Sequence, residues 1–280
     1  MNRRTYLKLA GGGAAVAGGV WYATDRLQGD GDHSEQSGHP PPGGNWRLRF
    51  EDQFREGSLD SDAWDVGWGW GTRTSKSPTR AVAENVELRD DQLRLSGTHD
   101  GDAIRAGVVN TRNKVTFGPG SYLEARVVFA ERQGFLNAFW AKPNSEAWPP
   151  EIDVVEVWQD GSGWDDTHRT HHHLHYAEST RTGDASTHRN VGATVDYPTP
   201  VTDRFHVYGV EWRRDRVVHY VDGRPIKVWL EPTMTRAMEH GAPFYLMFSL
   251  NVDKIGRAPR DEPWGEAMIV DWVRLWDRVA

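Results

Sequence analysis

The stretch EIDVVEVW, residues 151–158, places three acids within an apolar run. Its β-branched content predicts a buried strand, in which successive side chains point to opposite faces. Glu151 and Asp153 would therefore share a face, and Glu156 would lie on the other. One extra residue at Val154–Val155, a β-bulge, returns Glu156 to the face of the other two. We expect this bulge because an unpaired acid buried in the core is costly.

Three carboxylates on one face of a strand have two interpretations. On an exposed face they are solvated surface acids. In a groove, two carboxyl groups roughly 5–5.5 Å apart are what retaining cleavage of a glycosidic bond requires. The backbones of Glu151 and Glu156 would be roughly 13 Å apart, a gap that long side chains leaning together reduce. The flanking Trp148 and Trp158 favour the groove, because sugars stack on aromatic rings.

The acidic stretch resembles the signature E-[ILV]-D-x-x-E of glycoside hydrolase family 16 at every defined position. Its bulged form is similar to the laminarinase, agarase and carrageenase branches, whereas lichenases and xyloglucan-active members carry the shorter E-x-D-x-E. The resemblance extends from about residue 46 to 276. It is carried, in family order, by FEDQF near the start, GSYLEAR at 120–126, NAFW at 137–140, FHVYGVEW at 205–212 and IVDWVRLW at 269–276.

Short alternating apolar runs separated by turn residues predict an all-β antiparallel sandwich. The resemblance implies a jelly roll of the concanavalin A-like kind with a concave substrate cleft. Hairpin turns are expected at Asp90-Asp91 and Asp222-Gly223, and a short helix near 233–240. Candidate strands are 46–51, 83–88, 92–97, 105–111, 113–117, 121–130, 135–141, 151–159, 168–176, 188–195, 205–213, 216–221, 225–229, 244–251 and 267–276.

The chain divides into three predicted segments. Residues 1–27 resemble a twin-arginine export signal, with RRTYLK at 3–8 before an apolar Gly/Ala-rich run. Residues 28–44 are a polar Gly/Pro-rich linker, and 45–280 form the sandwich domain. We therefore expect a secreted or cell-surface protein. No clean A-x-A cleavage site is visible, so cleavage and retention as an anchor both stay open.

Composition restricts the partners. The net charge is −7 without a basic run outside the N-terminus, so no nucleic-acid partner is expected. The chain has 0 cysteines, which excludes disulfides and thiolate metal sites. We expect a monomer with no stable membrane insertion unless the signal is retained, no cofactor, and a polysaccharide as substrate.

The resemblance assigns roles to the acids: Glu151 as nucleophile, Glu156 as general acid/base and Asp153 as assisting acid. As a neighbouring acid, Asp153 should disfavour ionisation of at least one glutamate and help to keep Glu156 protonated near neutral pH. The three carboxyls are expected to titrate as a coupled set.

Substrate-binding residues are predicted around the acids. The resemblance places His175 beside them, and Trp140, Trp148 and Trp158 are candidate stacking platforms, with Asn110 and Asn251 reaching the groove. Trp68 and Trp70 fall in a Gly-rich loop at the rim.

Two groups of residues admit a metal-binding interpretation. His171, His173 and His175 share a strand face, but we find no acid with suitable spacing to complete a metal site, and His171 and His172 are interpreted as a surface patch. The resemblance also implies a structural calcium near Glu51 and Asp271, for which salt bridges are an equal alternative.

The predicted function is an exported endo-β-glycanase acting with retention on a β-1,3- or β-1,3/1,4-glucan. An agar- or carrageenan-type galactan is the alternative substrate, and arginine or lysine in the groove would favour its sulfated forms. A non-catalytic carbohydrate-binding sandwich is the alternative of another class, although binding alone does not require three mutually repelling carboxylates.

Overall fold

The computed structural model describes residues 38–161 and 167–279. These residues form two packed sheets, which confirms the predicted all-β sandwich. The strands in chain order are β1 (Asn45–Asp52), β2 (Asp65–Val66), β3 (Arg80–Ala81), β4 (Val86–Arg89), β5 (Gln92–Asp100), β6 (Ala103–Ala106), β7 (Val108–Asn110), β8 (Thr116–Phe117), β9 (Ser121–Val128), β10 (Phe135–Pro143), β11 (Glu151–Trp158), β12 (Arg169–Ala177), β13 (His188–Asp196), β14 (His206–Trp212), β15 (Val217–Val221), β16 (Arg224–Trp229), β17 (Phe244–Val252) and β18 (Ala267–Val279).

Within the described ranges, one sheet has ten strands in the order β16-β15-β14-β9-β18-β5-β6-β3, with β1 paired to β18 and β4 to β5. The other has eight strands in the order β13-β12-β11-β10-β17-β7-β2, with β8 paired to β17. We call these the outer sheet and the cleft sheet, because the strands that line the cleft described below belong to the second. All pairings are antiparallel except that of β3 with β6.

The core lies between the two sheets. The apolar side chains of β11 join a buried cluster that includes Leu123 and Trp212 of the outer sheet. Phe139 and Phe248, on neighbouring strands of the cleft sheet, stack with ring centroids 4.6 Å apart. Because β11 buries its valines and isoleucine on this side, its acids face the opposite side of the sheet.

Helix α1 (Pro232–Gly241) supports the cleft sheet through its contact with β12. The Glu231 side chain accepts hydrogen bonds from the backbone N–H groups of Thr233 and Met234 and so caps the helix. Proline at the first helical position needs no hydrogen bond there. Among the described residues, no helix has the length and apolar character needed to cross a bilayer.

Both expected hairpin turns are present. Asp90 and Asp91 have φ angles of 56° and 57°, and Asp222 and Gly223 have φ angles of 48° and 72°. Positive φ at both central residues of a two-residue loop is the type I′ turn, whose twist matches that of antiparallel strands.

The predicted strand 105–111 is wrong as one element. It is broken at Gly107, where the chain passes from β6 in the outer sheet to β7 in the cleft sheet. A Cβ atom at Gly107 would lie 2.3 Å from the Asn85 carbonyl oxygen, so only glycine fits this crossing. Two other predictions were too long, because 83–88 begins with a 3₁₀ turn and only Thr116–Phe117 of 113–117 is strand.

The end of the predicted linker packs against the sandwich. Gly38 and Pro41 are buried, and the Gly38 and Pro41 carbonyls accept hydrogen bonds from Arg274 and Trp46 at 3.1 and 3.0 Å. Gly38 and Pro41 of the predicted linker thus contribute to the packing of the sandwich. The predicted signal segment and residues 28–37 lie outside the described residues.

Candidate active site

The predicted bulge is present in β11. The register against β12 shifts between Asp153 and Glu156, and against β10 Phe139 pairs with Val155 while Trp140 pairs with Asp153. Val154 therefore has no partner on β10. Since Val154 and Val155 both enter the core, Glu156 returns to the side of the sheet that Asp153 faces.

The three acids meet histidines across the strand pair. Glu151 lies opposite His175 and Asp153 opposite His173. Nε2 of His175 is 3.2 Å from Oδ2 of Asp153 and 3.9 Å from Oε1 of Glu151. Nδ1 of His173 lies 3.2 Å from Oε2 of Glu156. Asp153 is thus central, with carboxylate oxygens of both glutamates within 4.8 Å of its own.

Burial and neighbouring charges separate the pKa values of the acids. Burial, reinforced by Asp153, raises the pKa of Glu151 to about 8. Burial and the nearby Glu156 raise the pKa of Asp153 well above its usual range. Burial also acts to raise the pKa of Glu156, but the hydrogen bond with His173 and the charge of Lys254 outweigh it, so this pKa is lowered.

These pKa values differ from the sequence-based expectation that Glu156 holds the proton. In the free site the negative charge favours Glu156, and protons favour Glu151 and Asp153. The physical reason is the position of His173 and Lys254, which both stabilise the ionised form of Glu156. The expectation from sequence considered only the effect of Asp153 on the two glutamates.

The acids form the floor of a cleft of about 840 Å³ with aromatic walls. Trp158 stacks on His171 at 3.9 Å between ring centroids, and Trp148 lies 4.7 Å from the His188 ring. The Trp140 indole N–H donates to Ser249 Oγ at 3.0 Å. These indoles line the cleft on more than one side of the acids, as sugar stacking requires.

The structure brings most predicted substrate-binding residues into the cleft lining, namely His175, Trp140, Trp148, Trp158 and Asn251. The side-chain oxygen of Asn251 accepts no hydrogen bond from the described residues. The prediction that Asn110 reaches the groove is wrong. Asn110 is buried, and its amide donates to the carbonyls of Asp65 and Gly67, so it supports a loop instead of contacting ligand.

The histidine run also differs from expectation. His172 is fully buried and hydrogen-bonded, which corrects its interpretation as part of a surface patch. His173, which we had not assigned to the substrate, lines the cleft with His188 and Asn190 of β13. Strand alternation had already placed His173 on the same face as His175, whereas no sequence pattern indicated that β13 lies beside β12.

Several cationic residues complete the cleft. Arg73, Lys76 and Lys254 line it and are exposed. Lys142 is buried, lies 3.5 Å from a Glu146 carboxylate oxygen, and has its ammonium 4.5 Å from the centre of the Trp70 ring. The GWGWG stretch had indicated that Trp70 lies at the rim, and its side chain is 41% exposed. No sequence pattern indicated that the cationic residues line the cleft.

The residues suggested for calcium do not fit an ion. Glu51 accepts a hydrogen bond from Arg274 at 2.6 Å, and Asp271 accepts one from Arg126 at 2.7 Å. Each carboxylate is therefore neutralised by its own arginine. Within the part of the chain described, two sets of side chains bring potential metal-ligand atoms within 4.8 Å of one another. They are Glu151 with Asp153 and His175, and Asp153 with Glu156 and His173. Both use acids of the cleft floor, so acids do face the histidines, contrary to the sequence argument.

Three neighbouring carboxyls beneath aromatic walls are the arrangement that a glycoside hydrolase requires. The chain belongs to glycoside hydrolase family 16, because the model of the family described as "Beta-porphyranase A-D, GH16 domain" matches residues 47–278.

Curated relatives have related activities. A beta-glucanase of Rhodothermus marinus is 27% identical over 268 residues, covering 88% of this chain and 88% of the relative. The endo-1,3-1,4-beta-glycanase ExsH of Rhizobium meliloti is 27% identical over 219 residues, covering 74% of this chain and 42% of that longer protein.

Solved structures share the jelly-roll fold. The laminarinase catalytic domain from Thermotoga petrophila RKU-1 is 21% identical with a TM-score of 0.68, covering 85% of this chain and 100% of that one. The endo-beta-1,3-glucanase from Pyrococcus furiosus is 24% identical with a TM-score of 0.68, covering 86% of this chain and 97% of that one.

Proposed function

We propose that this hydrolase is exported and cleaves internal β-glycosidic bonds of a polysaccharide by double displacement. The observation that carries the proposal is the bulged strand β11, which places Glu151, Asp153 and Glu156 together on the floor of an aromatic cleft. Export rests on the twin-arginine resemblance of residues 1–27 alone.

In the proposed first step, the Glu151 carboxylate attacks the anomeric carbon while Glu156 protonates the departing glycosidic oxygen. The bond to the leaving sugar breaks, and a glycosyl ester forms on Glu151. In the second step Glu156 removes a proton from water, whose oxygen attacks the same carbon and releases Glu151. Two inversions give net retention.

The free site must first redistribute one proton, because Glu151 favours the protonated form and Glu156 the ionised form. We propose that Asp153 passes it from Glu151 to Glu156, since its carboxylate lies within 4.8 Å of an oxygen of each. The assisting role of Asp153 would then be proton transfer as well as charge.

The favoured substrate is a β-1,3- or β-1,3/1,4-glucan. A neutral glucan needs stacking platforms, which Trp140, Trp148 and Trp158 supply. The two curated relatives are described as a beta-glucanase and an endo-1,3-1,4-beta-glycanase, which supports the same substrate class.

A sulfated galactan of the agar or carrageenan type is the second candidate. Arg73, Lys76 and Lys254 are exposed cations in the cleft lining, and cations of this kind bind sulfate groups. The porphyranase description of the matching family model supports the same candidate.

The test is release of reducing sugar from laminarin, lichenan, agarose, porphyran and carrageenans at low and high salt. Release from laminarin or lichenan, lost in Glu151→Gln, would support the glucan. Release restricted to sulfated polymers and weakened by salt would support the galactan. Binding of a polymer without any release would contradict the proposed hydrolysis.

A further inference from the structure

Two histidines lie beneath the bulge, between the two sheets. His172 belongs to β12 in the cleft sheet, and His219 belongs to β15 in the outer sheet. Both side chains are fully buried, and their rings meet edge to face with centroids 5.6 Å apart. Neither is part of the cleft lining, so the proposed chemistry does not use them directly.

Each histidine donates one hydrogen bond to a carbonyl at the bulge. Nδ1 of His172 is 2.6 Å from the Val154 carbonyl oxygen, and Nε2 of His219 is 3.0 Å from the Asp153 carbonyl oxygen. A carbonyl only accepts, so both of these nitrogens must carry a proton. A bulge disrupts the ladder locally, and buried carbonyls there require another donor.

The second nitrogen of each ring is also engaged. The Trp229 indole N–H donates to Nδ1 of His219 at 3.0 Å, which leaves that nitrogen unprotonated. Thr170 Oγ1 lies 2.9 Å from Nε2 of His172, and because burial lowers the pKa of this ring well below its usual value, Nε2 is unprotonated and accepts from the hydroxyl. Both rings are therefore neutral, each in one tautomer and one orientation.

We infer that His172 and His219 are positioning residues that lock the bulge in register and so hold Glu156 on the same face as Glu151. His172 ties Val154 to the neighbouring strand, and His219 ties Asp153 to the opposite sheet. A shift of the bulge by one residue would turn a carboxylate toward the core. The inference rests on the proposed catalytic roles of the two glutamates.

The test compares variants that remove the donor with variants that keep it. His219→Leu and His172→Leu remove the N–H, whereas His219→Gln and His172→Asn place an amide N–H near Nε2 and Nδ1. We expect kcat to fall by about 10²-fold in the leucine variants with little change in KM. The amide variants should have a kcat at least about tenfold higher than the leucine variants. Wild-type kcat in both leucine variants would overturn the inference.

A matched control separates positioning from general stability. His206 is another buried histidine, on β14, hydrogen-bonded at 2.8 Å to Asp222. His206→Leu should lower the melting temperature without lowering kcat at a temperature where the variant is folded. An equal loss of kcat in this control would show that any buried histidine substitution acts alike, and would contradict the inference.

Nitrogen-15 NMR of the imidazoles tests the geometry without substrate. We expect His172 to be protonated at Nδ1 and His219 at Nε2, without titration between pH 5 and pH 8. The opposite tautomers, or titration near pH 6.5, would overturn the inference even if leucine variants fail to fold. If the wild-type protein cleaved no polymer, the proposed function would fail while this measurement still decided the geometry.

Discussion

Glu151, Asp153 and Glu156 occupy one cleft but have different neighbours. Glu151 is half-buried beside the buried Asp153, whereas Glu156 lies near His173 and Lys254. Retaining hydrolysis needs one ionised and one protonated carboxyl at the same time, and unequal surroundings are how proteins separate two such groups.

Removing either glutamate should abolish hydrolysis. We expect Glu151→Gln and Glu156→Gln each to lower kcat by about 10³-fold or more, because an amide neither attacks carbon nor transfers the required proton. Reducing-sugar release measures this, with circular dichroism to confirm folding. Glu124→Gln is the control, since Glu124 is a buried acid of the outer sheet. Near-normal activity in Glu151→Gln would contradict the mechanism.

Asp153→Asn should move the pH profile as well as lower kcat. The charge that Asp153 carries when it is ionised is, after burial, the main cause of the raised pKa of Glu151. Its removal lowers that pKa, so Glu151 ionises at lower pH and the acid limb of kcat/KM moves down by about one pH unit. Profiles of wild type, Asp153→Asn and the Glu124→Gln control measure the shift. An unchanged limb, or one moved to higher pH, would count against this account.

At the residue scale, the sequence predicts the acids well and their protonation poorly. The motif identifies the three carboxylates because their spacing is local to one strand. The protonation order depends on Lys254, about 100 positions along the chain, and on cross-strand pairing with β12. Asn110 shows the same limit, because only the fold reveals that its amide holds the loop at Asp65 and Gly67.

At the element scale, alternation and turn chemistry predict most strands and the bulge itself. The bulge can be predicted from three acids and two adjacent valines, because all three acids must face the cleft while both valines face the core. The two-residue strands β2 and β3 carry no periodicity and are not predicted. The break between β6 and β7 is invisible too, because it depends on the close approach of residue 85 to Gly107.

Gly107→Ala should be strongly destabilising. Its Cβ would lie 2.3 Å from the backbone oxygen of Asn85 and 2.8 Å from the Leu95 Cα, so the 3₁₀ turn at Asn85 or strand β5 must move. We expect a loss of about 2 kcal/mol or more in unfolding free energy, measured by denaturant titration. Gly118→Ala is the matched control, because the nearest atom to its Cβ is 3.7 Å away. Equal stability of the two variants would rule out the proposed steric cause.

At the scale of the whole molecule, buried acids in both sheets make stability depend on pH. Burial raises the pKa of Glu124 to about 7 from a usual value of 4.5. The native state then binds a proton that the unfolded chain has released, so the contribution is present below pH 4.5 and is lost as pH rises through 7.

Glu124→Gln should therefore flatten this dependence. Between pH 4 and pH 8, the wild-type protein should lose on the order of 3 kcal/mol of unfolding free energy relative to the variant. Denaturant titrations at several pH values measure it. Glu178→Gln, at an exposed acid on the surface, should follow wild type. A variant parallel to wild type across this range would disprove the assignment.

The whole architecture is where sequence reasoning depends most on resemblance. Composition and turn spacing indicate a sandwich, but the pairing of β10 with β17 joins segments that are distant in the chain. That pairing brings Asn251 and Lys254 to the acids. Non-local contacts of this kind leave no local pattern, which is why the cations of the cleft were not foreseen.

The most direct test of the central claim is azide rescue of Glu151→Gly and Glu156→Gly on an activated aryl β-glycoside of the oligosaccharide that the polymer panel identifies. Azide replacing the nucleophile attacks once and inverts, so Glu151→Gly should yield the α-glycosyl azide. Azide intercepting the glycosyl ester in Glu156→Gly should yield the β-glycosyl azide. Proton NMR of the products distinguishes the two anomers. The reverse assignment, or the same anomer from both variants, would contradict the roles of Glu151 and Glu156.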